Sequence, residues 1–302
     1  MRRLAAVDMG SNTVHVLIAD EEAGRLTDVA HYVEMPQLGA IVSRTGSIGP
    51  KKQEEALNAL RAVVGKAREN GFEHLLAGAT AAVRRASDGA ELLARASLEI
   101  GVPVRLISEQ REAELSFAGV ASRHAGAQGW VMCDLGGGST ELVAAEAHRL
   151  ERWASLPIGS GTYSDRYLSD PPQPAERAEL RRAALAELGN APECEAGRLV
   201  ATGGTASNLG RVLSRHRAPM LLSSTDLLAA EKRLDSRPAA RLAQALGIPA
   251  ARVKALRGGV EVLLLLLDYY GLDRVQVSHE GLRHGMILAY AGAGENWYLS
   301  DS

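Results

Sequence analysis

The chain is short of several things, and each shortage excludes something. Only two cysteines occur among 302 residues, Cys133 and Cys194, too few for a disulfide framework and without metal-site spacing. Cys133 sits in an apolar run and reads as buried and reduced, which points to a reducing cytoplasm. No apolar run is long enough to cross a bilayer, and the longest, residues 262–267, reads as part of a buried helix. The opening MRRLAAVDMG lacks the apolar stretch of a signal peptide. A net charge of −2 supplies no global basic field, so neither nucleic acid nor an anionic membrane is expected as a partner, and any polyanion must meet a local patch. Lysine occurs only at 51, 52, 66, 232 and 254; arginine takes its place, and both phosphate gripping and codon usage account for that.

What is present is ordinary in bulk and unusual in detail. With 46% hydrophobic and 23% charged residues, the chain is long enough for two globular domains. Two segments repeat one theme, AAVDMGSNTVHVLIAD at 5–20 and VMCDLGGGSTELVAAE at 131–146. Each is an apolar run, an Asp, a Gly-rich turn with hydroxyl residues, and a second apolar run, which predicts strand, tight turn, strand. Glycines let backbone N–H groups approach anionic oxygens, hydroxyls add donors, and the Asp can hold a hydrated divalent cation. The first turn, with Gly10, Ser11, Asn12 and Thr13, also fits a hairpin with no ligand. The second, with Gly136, Gly137, Gly138, Ser139 and Thr140, carries three consecutive glycines where a plain hairpin needs one. A third turn, Gly203, Gly204 and Thr205, runs from a strand into a helix, a natural anion site or a plain tight connection. The duplication predicts a phosphorylated substrate clamped between two copies of one domain.

Strands are predicted at residues 4–8, 14–20, 26–32, 74–80 and 102–108, and helices at 51–69, 88–100 and 109–120. The second copy offers strands at 130–135, 140–146, 153–158, 198–202 and 274–278. Its helices are predicted at 175–188, 205–216, 225–234, 239–246, 251–269 and 281–291. This alternation is that of an α/β protein. The polar, Gly-rich stretch at 121–129 is the expected hinge, dividing domain I at 1–122 from domain II at 123–302, with a C-terminal helix at about 286–302 packing back on domain I.

The three turns in this order resemble the actin-like ATPase superfold, with duplicated ribonuclease H-like domains and a cleft between them. Within it the chain resembles the exopolyphosphatase and guanosine pentaphosphate phosphohydrolase (Ppx/GppA) family, in a short two-domain form. The resemblance rests on DMGSNTVHVLIAD at 8–20, ATAAVRRA at 79–86, ISEQREAELSFAGV at 107–120 and DLGGGSTEL at 134–142. It continues through LPIGSGTYSDRYLSDPP at 156–172, ATGGTASNLG at 201–210 and VSHEGLRHGMI at 277–287.

The resemblance implies roles. Glu112 matches the family's catalytic glutamate that activates water, although from the residues alone it is one charge on a solvated helix face beside Glu114. Glu141 matches the second catalytic carboxylate. Asp134 and Glu141, with Asp8 as a weaker third, would hold Mg²⁺, with Mn²⁺ as the alternative and K⁺ as an accessory ion. Arg84 matches the phosphate-gripping arginine, with adjacent Arg85 the alternative if the register slips by one. Asp88 stands where Asn is common. His279-Glu280 and His284 depart from the acidic or small residues usual near Arg283, as a surface quirk or a local change in the cleft.

The implied reaction is release of terminal orthophosphate from inorganic polyphosphate by metal-assisted attack of water. Glu112 acts as base with a raised pKa, a step worth roughly 10²–10⁴ in rate. Guanosine pentaphosphate is the alternative substrate, and a non-catalytic guanosine tetraphosphate sensor the alternative of another class. A kinase of the same superfold is disfavoured by the Glu112 and Arg84 segments. A homodimer is implied, and cleft closure on substrate is expected. Longer members carry a further C-terminal region, so this chain is expected to be weakly processive.

Overall fold

The computed structural model describes residues 1–124, 129–215 and 220–300. Two compact units emerge from the packing, Met1–Arg123 with Glu280–Ser302, and His124–His279.

The first unit opens with β1 (Arg2–Met9), β2 (Val14–Glu22) and β3 (Arg25–Glu34), followed by α1 (Leu38–Thr45) and α2 (Pro50–Glu69). Then come β4 (His74–Ala79), α3 (Ala81–Arg85), α4 (Gly89–Ile100), β5 (Val104–Leu106) and α5 (Glu109–His124). Its sheet has the order β3-β2-β1-β4-β5. The first three strands are antiparallel, while β4 and β5 run parallel to β1. Alternation along β1 sends Ala5, Val7 and Met9 into a core with α2 and α4, and Leu4 and Ala6 into a second core on the other face. α2 begins with Pro50, where a missing N–H costs nothing, and stops at Asn70-Gly71.

The second unit repeats the scheme with β6 (Trp130–Leu135), β7 (Thr140–Glu146) and β8 (Arg149–Leu156), followed by α6 (Ser160–Tyr167) and α7 (Pro174–Leu188). It continues with β9 (Leu199–Thr202), α8 (Gly203–Leu213), β10 (Met220–Ser223), α9 (Ser224–Asp235), α10 (Ala239–Leu246), α11 (Ala250–Tyr269) and β11 (Arg274–Val277). The order β8-β7-β6-β9-β11 mirrors the first sheet, with β10 added antiparallel at the edge. The longest apolar run lies buried in α11. The last helix, α12 (Leu282–Ala293), belongs to the first unit, and its Met286, Ile287 and Tyr290 pack into the second core there.

The two halves thus share the strand order of the ribonuclease H-like, actin-type fold. The duplication reaches single residues. Asp8 pairs across the ladder with His15, and Asp134 with Glu141, at the same spacing. Both hairpins also slip register at the same place, between Ile18 and Ala19 and between Ala144 and Ala145.

Some expectations need correction. The C-terminal helix is Leu282–Ala293 and not 286–302; a short 3₁₀ turn, Gly294–Asn296, follows it. Residues 301–302 lie outside the described residues, as do 125–128 of the expected hinge and residue 216 of the expected 205–216 helix. β5 is three residues long where seven were expected, and β8 begins at Arg149 and not 153. α1, α3, α6 and β10 were not expected from the sequence.

Candidate functional site

Both repeated turns close with the same backbone bond. Gly10 N–H donates to the Thr13 carbonyl at 2.9 Å, and Gly136 N–H to the Ser139 carbonyl at 3.0 Å. Each turn is then propped from behind by the start of the helix that follows its third strand. In the first unit the carbonyls of Ser11 and Asn12 accept from Gly39 and Gln37, at 2.7 and 3.2 Å. In the second, the Gly136 carbonyl accepts from Ser160 N–H at 2.9 Å, and the Gly137 carbonyl from Gly161 and Thr162 at 3.1 and 3.0 Å.

This arrangement fixes which way the amides point. A trans peptide carries its C=O and N–H on opposite sides. With the Gly136 and Gly137 carbonyls bound to α6, the N–H groups of Gly137 and Gly138 are turned away from it. The same holds for Asn12 and Thr13 against α1. Each unit therefore presents a short row of backbone donors, the geometry of an anion-binding nest. Gly159 makes this approach feasible, since a Cβ there would lie 2.4 Å from the Gly137 oxygen and the Gly138 Cα. These props escaped sequence reasoning; the small residues of Gly159-Ser160-Gly161 were the signal for them.

In the first unit the turn leads to Arg84 and Glu112. Thr80 N–H donates to the Met9 carbonyl at 3.2 Å, and Arg84 N–H, one helical turn on, donates to the Thr80 carbonyl at 3.0 Å. The Arg84 guanidinium donates from Nη1 to Glu112 Oε2 at 3.0 Å and to the Ile107 carbonyl at 2.7 Å, and its Nη2 lies 3.4 Å from Glu109. Glu112 is only 7% exposed, so it does not belong to a solvated helix face. Glu114 is engaged elsewhere, by Gln110 at 2.8 Å and by Arg111 at 2.9 Å, and Arg111 also holds the Trp297 carbonyl. Arg85 is exposed and donates to Ala81 of its own helix at 3.2 Å. Asp8 completes this group, with Arg283 Nη1 3.8 Å from its Oδ2.

In the second unit Asp134 and Glu141 are direct cross-strand partners and so share a face of the sheet. Glu141 is 2% exposed and accepts from the Ser155 hydroxyl at 2.9 Å. Burial, with these two carboxylates adding to it, pushes the neighbouring Cys133 thiol well up. Two hard carboxylates facing each other suit a divalent cation such as Mg²⁺, which would relieve their mutual repulsion. Among the described residues no cluster of three or more His, Cys, Asp or Glu is grouped as a metal site. The third turn abuts this pair. A Cβ on Gly203 (φ +91°) would stand 2.5 Å from the Leu135 carbonyl and 3.0 Å from Asp134 Oδ1. Two hydroxyls expected at phosphate have structural engagements: Thr140 Oγ1 donates to the Ile158 carbonyl, and Thr205 is buried against Gly259.

The departures near the C-terminus separate. His279 is exposed, whereas His284 is 3% exposed and hydrogen-bonded to Asp28, so the surface reading of His284 is corrected. Asp88 is tied to backbone N–H groups of Ile48 and Gly49, both at 2.8 Å. No helix among the described residues is long and apolar enough to cross a membrane.

The model of the Ppx/GppA phosphatase family matches residues 17–292. Among solved structures, an exopolyphosphatase-like protein superposes with a TM-score of 0.87 at 24% identity, covering 96% of this chain and 97% of its own. An exopolyphosphatase from Cytophaga hutchinsonii gives 0.85 at 24% identity, covering 95% and 96%. The Ppx/GppA family member of Aquifex aeolicus gives 0.79 at 25% identity, covering 96% and 97%.

Proposed function

The chain belongs to the Ppx/GppA phosphatase family, and from that premise we propose that it is an exopolyphosphatase, releasing terminal orthophosphate from inorganic polyphosphate. The observation that carries this reading is the part-buried Arg84–Glu112 pair, reached through Thr80 from the amide turn at residues 10–13. A phosphoanhydride resists hydrolysis because its oxygens repel a nucleophile, so catalysis consists largely of placement and charge neutralisation. The amide rows of the two turns bind phosphate oxygens. Arg84 holds Glu112 and grips phosphate with the rest of its fork. Glu112 takes a proton from the attacking water, and the shortened chain leaves with its charge on the departing oxygen. Asp134 and Glu141 would hold Mg²⁺, which when bound draws off negative charge. Mn²⁺ is the alternative metal and K⁺ an accessory ion.

Guanosine pentaphosphate has the same terminal linkage and is the second substrate. A homodimer and a cytoplasmic location belong to the same proposal. The deciding assay follows phosphate release from short polyphosphate, long polyphosphate and guanosine pentaphosphate with Mg²⁺, for wild type and Glu112→Ala. Release that vanishes in the variant supports the hydrolase and ranks the substrates. No release from any of the three, with guanosine tetraphosphate binding by calorimetry, would replace it with the sensor reading.

A further inference from the structure

A polar seam runs beneath the start of α12. Asp8 on β1 and His15 on β2 are cross-strand partners, as are Leu17 and His31, and Ala19 and Asp28. Asp28 and His31 are three apart, and strict alternation would place them on opposite faces. The register shift between Ile18 and Ala19 leaves Val29 out of the pairing and returns Asp28 to the face of His31. That face is the one α12 covers. There Asp28 meets both His284 Nε2, 3.1 Å from its Oδ1, and His31 Nε2, 3.0 Å from its Oδ2. Burial would raise the Asp28 carboxyl, but the two imidazoles outweigh it and hold the group well below the usual carboxylate range.

The backbone around this contact has little room to adjust. A Cβ on Gly285 would lie 1.8 Å from the Leu115 carbonyl, and one on Gly119 would lie 2.2 Å from the Gly281 carbonyl. α12 is therefore pressed onto α5 at its first turn, and what remains to be fixed is its rotation. Successive residues on a helix point about 100° apart. Anchoring His284 on β3 thus sets the direction of Arg283, whose guanidinium stands 3.8 Å from Asp8.

We propose that Asp28 and His284 are positioning residues for Arg283, holding its charge against Asp8 so that the turn at residues 10–13 accepts phosphate. The inference rests on the reading of that turn as phosphate-binding. A bare carboxylate beside an amide row repels an anion, and a cation held next to it cancels the repulsion. Loss of the pair therefore weakens substrate binding and leaves proton transfer by Glu112 intact.

The test is steady-state hydrolysis of tripolyphosphate by D28N, H284Q and the exchange variant D28H/H284D. In each single variant KM is expected to rise about three- to fivefold, the worth of one modest charge contact, with kcat within about twofold. The exchange recovers at least half of the loss. A purely structural role would lower the folded fraction and apparent kcat but leave KM in place, and unchanged KM in D28N and H284Q overturns the proposal. If the exchange variant does not fold, D28N alone decides, because KM does not depend on the folded fraction. Should wild type neither hydrolyse nor bind tripolyphosphate, the functional reading fails by itself. The proposal is then judged from the Arg283 Nε–H resonance, identified by its loss in R283K. That resonance moves in D28N if the pair holds Arg283, and stays if it does not.

Discussion

One nitrogen of Arg84 serves two acceptors, Glu112 at 3.0 Å and the Ile107 carbonyl at 2.7 Å, so the arginine ties the glutamate to the loop between β5 and α5. Glu112→Gln keeps the shape and removes the base. Phosphate release is expected to fall by roughly 10²–10⁴, with little change in melting temperature. Arg84→Lys offers no planar fork and cannot reproduce both contacts. It should lower kcat by about tenfold through misplacement of Glu112. Single-turnover phosphate release beside circular dichroism melts checks both.

The Asp134–Glu141 pair predicts opposite effects on metal binding and on metal-free stability. Like charges directly opposite on a ladder destabilise it. Glu141→Gln should raise the stability of metal-free protein by about 0.2–1 kcal/mol and weaken Mn²⁺ binding by at least about tenfold. Calorimetric Mn²⁺ titration and melts in chelator measure the two. A variant that binds Mn²⁺ as tightly as wild type would remove Glu141 from the metal site.

Gly159 tests the prop behind the second turn. Alanine there places a methyl 2.4 Å from the Gly137 oxygen and the Gly138 Cα. One of the two must shift, and the loop is the freer. Gly159→Ala should lower activity by at least about tenfold, as a misplacement near 1 Å does, while the unit remains folded. Normal activity would mean that the amide row is not held by α6.

Asp88 predicts an acid limb in stability. Burial would raise its carboxyl, but hydrogen bonds from Ile48, Gly49, Ser47 and Gln53 lower it to about 2. The folded value lies below the unfolded one, near 3.9. The contribution is therefore complete above about pH 5 and is lost as pH falls toward 2. After discounting for partial exposure it amounts to about 1–2 kcal/mol. Asp88→Ala should lower the melting temperature at pH 7 and flatten its decline between about pH 5 and 2. A parallel decline in both proteins would refute the assignment.

The parts legible in the sequence are those set by local chemistry. β1, β2, β6 and β7 announce themselves as apolar runs flanking Gly turns, and α2 and α11 by helical spacing and clear stops. What was not legible depends on partners far along the chain. α6, SGTYSDRY, has poor helix formers, and its start is set by bonds to the Gly136 and Gly137 carbonyls. α1 follows Gln37 in a left-handed conformation, which no local pattern signals. Glu112 looked solvated because the pattern of α5 cannot show that Arg84, from another helix, covers it. His284 looked superficial because the shift that carries Asp28 beneath it is a property of two strands together. Asp134 and Glu141 were legible only through the resemblance; that they face each other across the ladder is a property of the hairpin register.

The register shifts described above lie in the hairpins that end at β3 and β8, and each of these strands is one of the two edges of its sheet. A long, regular edge strand is a template on which another chain can extend the sheet. A bulge breaks the even spacing of its free N–H and C=O groups and twists the strand away from flatness. The same irregularity that aims one carboxylate therefore makes each half a poor docking edge for a further strand, which guards a protein with two such edges against uncontrolled polymerisation.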